Sequence, residues 1–306
     1  MKVSVIVVSW NVKDLLRQCL RSVYASRFEG EIDLIVVDNA SHDGSAEMVR
    51  AEFPQARLIA SPTNLGYAGG NNAGMAAATG DFLFVLNPDA TLFEDAISRL
   101  VSYLKDHPHV GAVGPQLLWP DGSVQSSRRR FPTIGSLFWE STLLEQWFPH
   151  NRISRYYKFS DQNDGHAQPV DWLVGAALMI RQEAWQAVGP IDEGYFMYFE
   201  EADWCRRCAG AGWAIYYVPQ AKVTHYEGQS SKQVVAARAI RFQRSKIRYT
   251  EKWFGPYWAW LVRLFLLVTF GFQWLEESLK WLIGHKRPLR RERMTAYWQV
   301  LRSGLT

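Results

Sequence analysis

The chain has 306 residues, 48% of them hydrophobic, which is enough to bury one large core or two modest ones. Three cysteines in a chain of this length exclude a disulfide framework and fit a reducing, cytoplasmic compartment. Charge is uneven: residues 241–306 carry 13 Lys and Arg against 4 Glu, a net of +9, which leaves −5 for residues 1–240 within the total of +4. An acidic body with a basic, Trp-rich tail points to an anionic surface as a partner. Nucleic acid is the competing partner for such a tail, but the apolar stretch beside these charges suits lipid better, so no nucleic-acid role is expected.

Met1-Lys2 precede only a short apolar run that stops at Asn11 and Lys13, too short for a signal peptide. Residues 3–9 and 34–38 read as buried parallel strands. Between them, residues 13–26 have helical periodicity, with Leu15, Leu16, Cys19, Leu20 and Val23 on one face. A strand at Arg57–Ser61, a small-residue helix at Gly70–Ala78 and a strand at Phe82–Leu86 follow, then a helix at Phe93–His107 and a strand at Val110–Leu117. Strands alternating with helices at this spacing predict βαβ units and a sheet covered on both faces. Residues 121–169 lose periodicity and gain Ser, Arg and aromatics, the pattern of a long excursion over a site. Order returns with a strand-like Leu173–Ile180, a helix near Glu200–Ala211, strands at Ala214–Val218 and Val223–His225, and a basic helix over Lys232–Trp253. The expected division is a catalytic domain at 1–240 and a basic, aromatic helical tail at 241–306.

The apolar run Phe82–Leu86 ends abruptly in Asn87-Pro88-Asp89. The carboxyl ends of buried parallel strands are where open α/β sheets hold ligands, so Asp89 is expected on the sheet rim with a free carboxylate. A carboxylate there can hold a divalent cation against a diphosphate. Asp38 ends another strand and could accept the imide N–H of a uracil or thymine, while Asp43-Gly44-Ser45 reads as a helix cap. The stretch Asn64-Leu65-Gly66-Tyr67-Ala68-Gly69-Gly70-Asn71-Asn72 lets backbone approach a ligand and leads to a helix N-terminus that could face an anion. Its spacing is not that of a dinucleotide fingerprint. Glu200, Glu201 and Asp203 follow an aromatic run that would bury their charge and raise a carboxyl pKa toward that of a general base. His225 closes a short strand and could be a rim histidine or a metal ligand. Cys205 and Cys208 read as helix neighbours rather than a metal or redox pair.

Taken in order, Val-Val-Ser-Trp-Asn at 7–11, Val-Asp-Asn-Ala-Ser-His-Asp-Gly-Ser at 37–45, the Asn-Gly loop at 64–72 and Leu-Asn-Pro-Asp at 86–89 begin a recognisable set. Trp-Leu-Val-Gly-Ala-Ala at 172–177, Phe-Glu-Glu-Ala-Asp at 199–203 and Val-Thr-His-Tyr-Glu-Gly-Gln-Ser at 223–230 complete it. The chain resembles the family-2 glycosyltransferases of the GT-A fold over roughly residues 1–231, and within them the bacterial rhamnosyltransferases of cell-surface polysaccharide synthesis. The resemblance implies a Rossmann-like, mostly parallel sheet flanked by helices, with a C-terminal helical, membrane-associated extension. It implies donor contacts from Ser9, Asn11, Asp38, Asn64, Gly66, Gly70, Asn71, Asn87, Trp172 and Gly175, with Asp38 at the nucleobase. It places Asp89 and His225 at Mg2+ or Mn2+, and Asn87 where the family carries the first metal carboxylate. The family's Glu-Asp pair is Glu200-Glu201 here, so the base lies between Glu201 and Asp203, with Glu201 preferred on register. The implied reaction is inverting transfer from a nucleoside-diphosphate sugar to a saccharide or polyprenyl-diphosphate-linked acceptor. A nucleotidyltransferase on a related sheet would need a Gly-rich, Arg/Lys-bearing signature near the first strand, which Trp10-Asn11-Val12 lacks. A non-catalytic carbohydrate-binding scaffold would not need both Asp89 and Glu201.

Tyr257 to Leu275 is nineteen residues long with one charge, Arg263, near its middle. A spanning helix needs about 20 mostly apolar residues and seldom tolerates a central charge. Trp258, Trp260, Trp274 and Trp281, with the Lys286–Arg293 cluster, have the character of interfacial anchors. Peripheral contact at the inner face of the cytoplasmic membrane is preferred over a span or a dimerisation helix.

Overall fold

The computed structural model describes residues 1–140, 142–228, 235–284 and 286–306. The chain begins β1 (Lys2–Ser9), α1 (Lys13–Tyr24), β2 (Glu31–Asp38), α2 (Ser45–Glu52), β3 (Arg57–Ala60), α3 (Gly66–Ala77) and β4 (Phe82–Leu86). It continues with β5 (Ala90–Leu92), α4 (Ala96–Asp106), β6 (Val110–Leu118), β7 (Val124–Gln125), β8 (Arg128–Arg129), α5 (Ile134–Trp139), α6 (Leu143–Trp147) and α7 (Arg152–Tyr157). Then follow β9 (Gln168–Pro169), β10 (Trp172–Leu173), β11 (Ala177–Arg181), α8 (Gln182–Val188), α9 (Glu200–Gly210) and β12 (Ala214–His225). Three helices close the chain: α10 (Val235–Phe254), α11 (Pro256–Leu282) and α12 (Arg287–Ser303). The start expected for the basic helix at Lys232, and Gln229 and Ser230 of the late motif, lie outside the described residues.

Two compact units result. The first comprises Met1–Phe131, Lys158–Phe196 and Glu200–Ser230; the second comprises Pro132–Tyr157, Met197–Phe199 and Ser231–Thr306. The excursion at 121–169 is therefore divided between them, and it holds short strands and helices rather than bare loop.

The first unit is built on one sheet of order β3-β2-β1-β4-β11-β6-β12-β5. Strands β3, β2, β1 and β4 run parallel, as their alternation with helices demands. Strand β11 then enters antiparallel between β4 and β6, and β12 lies parallel to β6. The sheet is therefore mixed, because β11 arrives from the rim side and needs no crossover helix. Helices α1 and α4 cover one face through Leu16, Leu20, Val23, Ile97, Leu100 and Leu104, all fully buried. At the carboxyl ends, Ser9 pairs in register with Asp38 and Val7 with Leu86. Ala177 opposes Leu86 across the antiparallel pair, which brings Gly175 and Ala176 to the same rim.

In the second unit, α10, α11 and α12 pack together. The inner face of α11 buries Ala259, Val262, Leu266, Phe270 and Glu277. Arg290 Nη1 reaches both oxygens of Glu277, at 2.9 and 2.7 Å, so a two-helix contact is closed by a buried ion pair.

Candidate active site

The rim at the ends of β1 and β2 is clamped by short polar bonds. Asn11 adopts φ 52° and its Oδ1 accepts the His42 N–H at 2.7 Å, while its own N–H donates to Ser41 Oγ at 3.0 Å. Asp38 Oδ2 accepts the Ser41 N–H at 3.1 Å, and its Oδ1 is buried with no partner. Ser9 Oγ beside it is likewise buried and unpartnered. Asn11 thus ties two loops together, whereas Ser9 and Asp38 keep unused hydrogen-bonding capacity. Asp43 accepts from Ser45 and Lys13 as a turn residue does.

The glycine-rich loop organises the start of α3. Asn64 Oδ1 accepts the Gly66 N–H at 2.9 Å, Asn39 Oδ1 that of Leu65 at 3.4 Å, and the Phe196 carbonyl that of Tyr67 at 2.8 Å. These amides are therefore already satisfied by the protein, which corrects the expectation that this helix N-terminus offers them to an anion. Gly66 has φ 74°, and a Cβ there would strike the Phe196 carbonyl. Gly70 is small for packing: a Cβ would lie 2.6 Å from Val8. Asn71 Nδ2 donates to the Tyr67 carbonyl at 2.9 Å and its Oδ1 is left buried and unpartnered.

At the ends of β4 and β12 the structure brings Asn87, Asp89 and His225 together. Asp89 is not the free carboxylate expected: it is 6% exposed, and its Oδ1 lies 3.3 Å from His225 Nε2. The antiparallel pairing of Ala90 with His225 enforces this approach. Gln125 Nε2 donates to Glu227 Oε2 at 3.1 Å, which turns Gln125 Oε1 toward His225 Nδ1 at 2.9 Å. That contact places a proton on Nδ1, the second-layer arrangement that orients histidine ligands, and turns Nε2 toward Asp89 and Asn87. Asn87 Nδ2 lies 3.3 Å from the same Nε2, and Asn87 Oδ1 is buried without a partner. Among the described residues no group of three His, Cys, Asp or Glu is assembled. The donor set of one carboxylate, one imidazole nitrogen and one orphaned amide oxygen nevertheless fits a divalent cation that takes further oxygens from a phosphate.

The acidic cluster divides by helix geometry. Glu201 and Asp203 are two residues apart on α9 and so face opposite sides. Asp203 is fully buried against Arg207, whose Nε lies 3.1 Å from its Oδ2 and whose other nitrogens donate to the Val188 and Pro190 carbonyls. Asp203 thus anchors α9 to the preceding loop. Glu201 instead reaches the rim, where Oε1 accepts the Gly175 N–H at 3.3 Å. Burial, and then the charge of Glu201, hold the Glu200 carboxyl well above the usual range. Burial also raises Glu201, but backbone amides including that of Gly175, the Glu200 side chain and the Arg129 guanidinium pull it back. Glu201 is therefore the member of the pair that ionises first.

Trp172 is buried, and its Nε1 donates to the Arg130 carbonyl at 2.9 Å, so it supports the β8–β10 ribbon. Gly175 is required by crowding: a Cβ would lie 2.8 Å from the Tyr67 hydroxyl and 3.5 Å from Glu201 Oε1. Three residues had not been singled out from the sequence: Tyr67, Gln125 and Arg129. The Arg128-Arg129-Arg130 run was a visible signal for one of them, and Tyr67 sits inside the glycine motif, but nothing local marks Gln125.

Among the residues described above, four oxygens, Ser9 Oγ, Asp38 Oδ1, Asn71 Oδ1 and Asn87 Oδ1, are buried without partners, whereas the Glu200 and Glu201 carboxyls bond to each other. Buried polar atoms are almost always hydrogen-bonded, so a group of exceptions calls for a partner such as water, an ion or a ligand. A mixed α/β sheet thus carries a buried carboxyl pair and an Asp–His pair near its strand ends. The model of glycosyl transferase family 2 matches residues 4–178, and the chain belongs to that family. It is 30% identical over 267 residues to the N-acetylglucosaminyl-diphospho-decaprenol L-rhamnosyltransferase of Mycobacterium tuberculosis, covering 83% of this chain and 85% of that one. It is 27% identical over 179 residues to rhamnosyltransferase WbbL of Escherichia coli, covering 57% of this chain and 63% of that one. Among solved structures it shares its fold with mannosyltransferase PcManGT from Pyrobaculum calidifontis, crystallised with GDP-Man and Mn2+, at a TM-score of 0.57. Their identity is 16%, over 99% of this chain and 84% of that one.

Proposed function

We propose that this glycosyltransferase is inverting and divalent-metal-dependent, and moves rhamnose from a dTDP- or UDP-linked donor to a saccharide or polyprenyl-diphosphate-linked acceptor. The observation that carries the reading is the set of unpartnered buried oxygens on Ser9, Asp38, Asn71 and Asn87. Ser9 and Asp38 take the nucleobase end of the donor, where an acceptor oxygen meets an imide N–H. Asp89, His225 and the Asn87 amide oxygen would hold Mg2+ or Mn2+, which would supply positive charge to the leaving diphosphate. Glu201 accepts the proton of the acceptor hydroxyl as that oxygen forms its bond to the anomeric carbon from the face opposite the leaving group. One displacement of this kind inverts the centre. Glu200 stays protonated beside it, so the pair carries one charge rather than two. Two relatives that carry rhamnosyltransferase names support the choice of sugar.

We place the activity at the inner face of the cytoplasmic membrane, a reading that features of the second unit support. Trp260, Leu264, Val268, Phe272, Leu275 and Leu279 stand exposed at spacings of three and four along α11. Among the described residues α11 is the one helix long and apolar enough to cross a bilayer, but its other face is buried on its neighbours and ends in the Glu277–Arg290 pair. A helix with one packed and one bare apolar face lies in an interface rather than through it. Exposed Lys286, Arg287, Arg291 and Arg293 beside it favour anionic lipid.

Titration calorimetry with dTDP and with UDP, in the presence and absence of Mn2+, tests the donor site. Metal-dependent binding of one nucleotide that Asp89→Ala abolishes is expected, together with loss of transfer from the matching rhamnose donor. Unchanged metal-dependent binding in Asp89→Ala would remove the metal role.

A further inference from the structure

Gly175 carries the backbone amide that meets Glu201, and glycine is the residue least able to hold its own peptide planes. Its N–H belongs to the 174–175 peptide and points at Glu201 Oε1. Its carbonyl belongs to the 175–176 peptide and accepts the Tyr67 hydroxyl at 2.5 Å. The flanking residues are pinned separately: the Val174 N–H donates to the Ser127 carbonyl at 3.0 Å, and the Ala176 carbonyl accepts the Asn87 N–H at 2.9 Å. Between these two pins Gly175 is the joint, held by Tyr67 on its carbonyl and by Glu201 on its N–H. A Cβ at the joint would lie 2.8 Å from the Tyr67 hydroxyl and in ordinary contact, 3.5 Å, with Glu201 Oε1, so an alanine there presses on the Tyr67 contact. Tyr67 is itself held, by its N–H on the Phe196 carbonyl and by Asn71 on its own carbonyl.

We propose that Tyr67 is a positioning residue for the base: by fastening the Gly175 carbonyl it keeps the Gly175 N–H on Glu201. This rests on the reading of Glu201 as the base. The charged and titratable groups that surround Glu201 are Glu200 and Cys205 on α9, Tyr67 on α3 and Arg129 on β8, while Asp89 faces Tyr67 from the metal corner. Burial, then the charges of Glu201 and Glu200, push the Tyr67 hydroxyl well above its ordinary range, so it remains a hydrogen-bond donor. The Gly175 N–H favours the ionised form of Glu201, and releasing it should make the carboxyl harder to ionise.

The test is Tyr67→Phe in the full-length enzyme, assayed with dTDP-L-rhamnose and Mn2+ beside Glu201→Gln, and titrated by carbon NMR of carboxyl-labelled glutamate. With Tyr67→Phe, kcat should fall roughly tenfold at unchanged donor KM, the scale of one lost hydrogen bond. The acid limb of the kcat profile and the Glu201 titration should both move up by roughly half to one unit. Gly175→Ala should shift the limb in the same direction, and the Tyr67→Phe/Gly175→Ala double variant should be no worse than Gly175→Ala alone, because both act on one contact. A Tyr67→Phe enzyme with an unmoved limb and an unmoved carboxyl titration, or additive losses in the double variant, overturns the proposal while Glu201→Gln remains dead. If Glu201→Gln keeps its turnover, the base assignment itself falls, and the carboxyl titration still reports on Tyr67.

Discussion

Lys246 lies fully buried in the second unit, its ammonium on the Glu140 carbonyl and 5.3 Å from the Phe242 ring centroid. Burial lowers it to about 8, against the weaker opposing charges of Glu140 and Glu145. Between about 8 and 10.5 the unfolded chain therefore binds more protons than the folded one, and stability should rise with pH across that window. Below 8 the buried charge costs on the order of a few kcal/mol, since each pKa unit is worth about 1.4 kcal/mol. Lys246→Met should accordingly raise Tm at pH 7, and the gain should shrink toward pH 10; thermal unfolding followed at both pH values measures this. In the first unit, Glu201 and Asp203 separate cleanly by what they touch. Glu201→Gln should remove most turnover at unchanged Tm, since an amide keeps the shape but takes no proton. Asp203→Asn should lower Tm, because it weakens the bond to Arg207 inside a buried pair. Steady-state kinetics and unfolding on the two variants decide the assignment, and the reverse pattern would move the base to Asp203.

Among the elements, α3 shows how a loop can be spent on its own helix. Asn39 and Asn64 satisfy its first amides, and Asn39 Nδ2 also donates to the Gly66 carbonyl at 2.8 Å. Gly66 must hold φ 74° and leave room for the Phe196 carbonyl. Gly66→Ala should therefore cost at least ~1–2 kcal/mol from backbone alone, and the displaced Tyr67 should take activity with it. A Tm several degrees lower with reduced turnover is the expected result of calorimetry and assay; an unchanged Tm would mean that the helix start tolerates a side chain. Strand β12 shows the opposite economy: a register shift between Val218 and Lys222 lets one strand serve β6 along its length and still deliver His225 beside Asp89. Irregularities of this kind re-aim a side chain without breaking the sheet.

For the whole molecule, the charge division and the bare face of α11 set the expected behaviour on lipid. Leu264→Glu, Val268→Glu and Phe272→Glu introduced together in the full chain lie on the exposed stripe and outside the buried core, with Phe272 edge-on to the exposed Trp147 ring. The variant should keep the wild-type circular dichroism and donor hydrolysis, but lose flotation with vesicles containing phosphatidylserine. Its activity should fall on a polyprenyl-diphosphate-linked acceptor and not on a short soluble one. Equal flotation of both proteins would leave the stripe as a contact between copies of the chain.

The sequence by itself determined the βαβ half of the sheet, because continuous apolar runs alternating with amphipathic helices allow few other arrangements. It also determined which residues were candidates, since Asp38, Asn87, Asp89, Glu201 and His225 each lie at or beside the end of an element where packing alone does not explain them. Register could not be read from it. That His225 Nε2 faces Asp89, that Gln125 orients the ring from 100 residues away, and that Tyr67 fastens Gly175 across 108 residues follow from strand pairing and helix docking. Only the tertiary structure decided between neighbours on one helix, docking the i,i+4 pair Asp203–Arg207 on the Val188 and Pro190 carbonyls and sending Glu201 to the rim. A local pattern states which side chains exist, whereas long-range packing sets what each one faces, and a carboxyl group's chemistry is governed by what it faces.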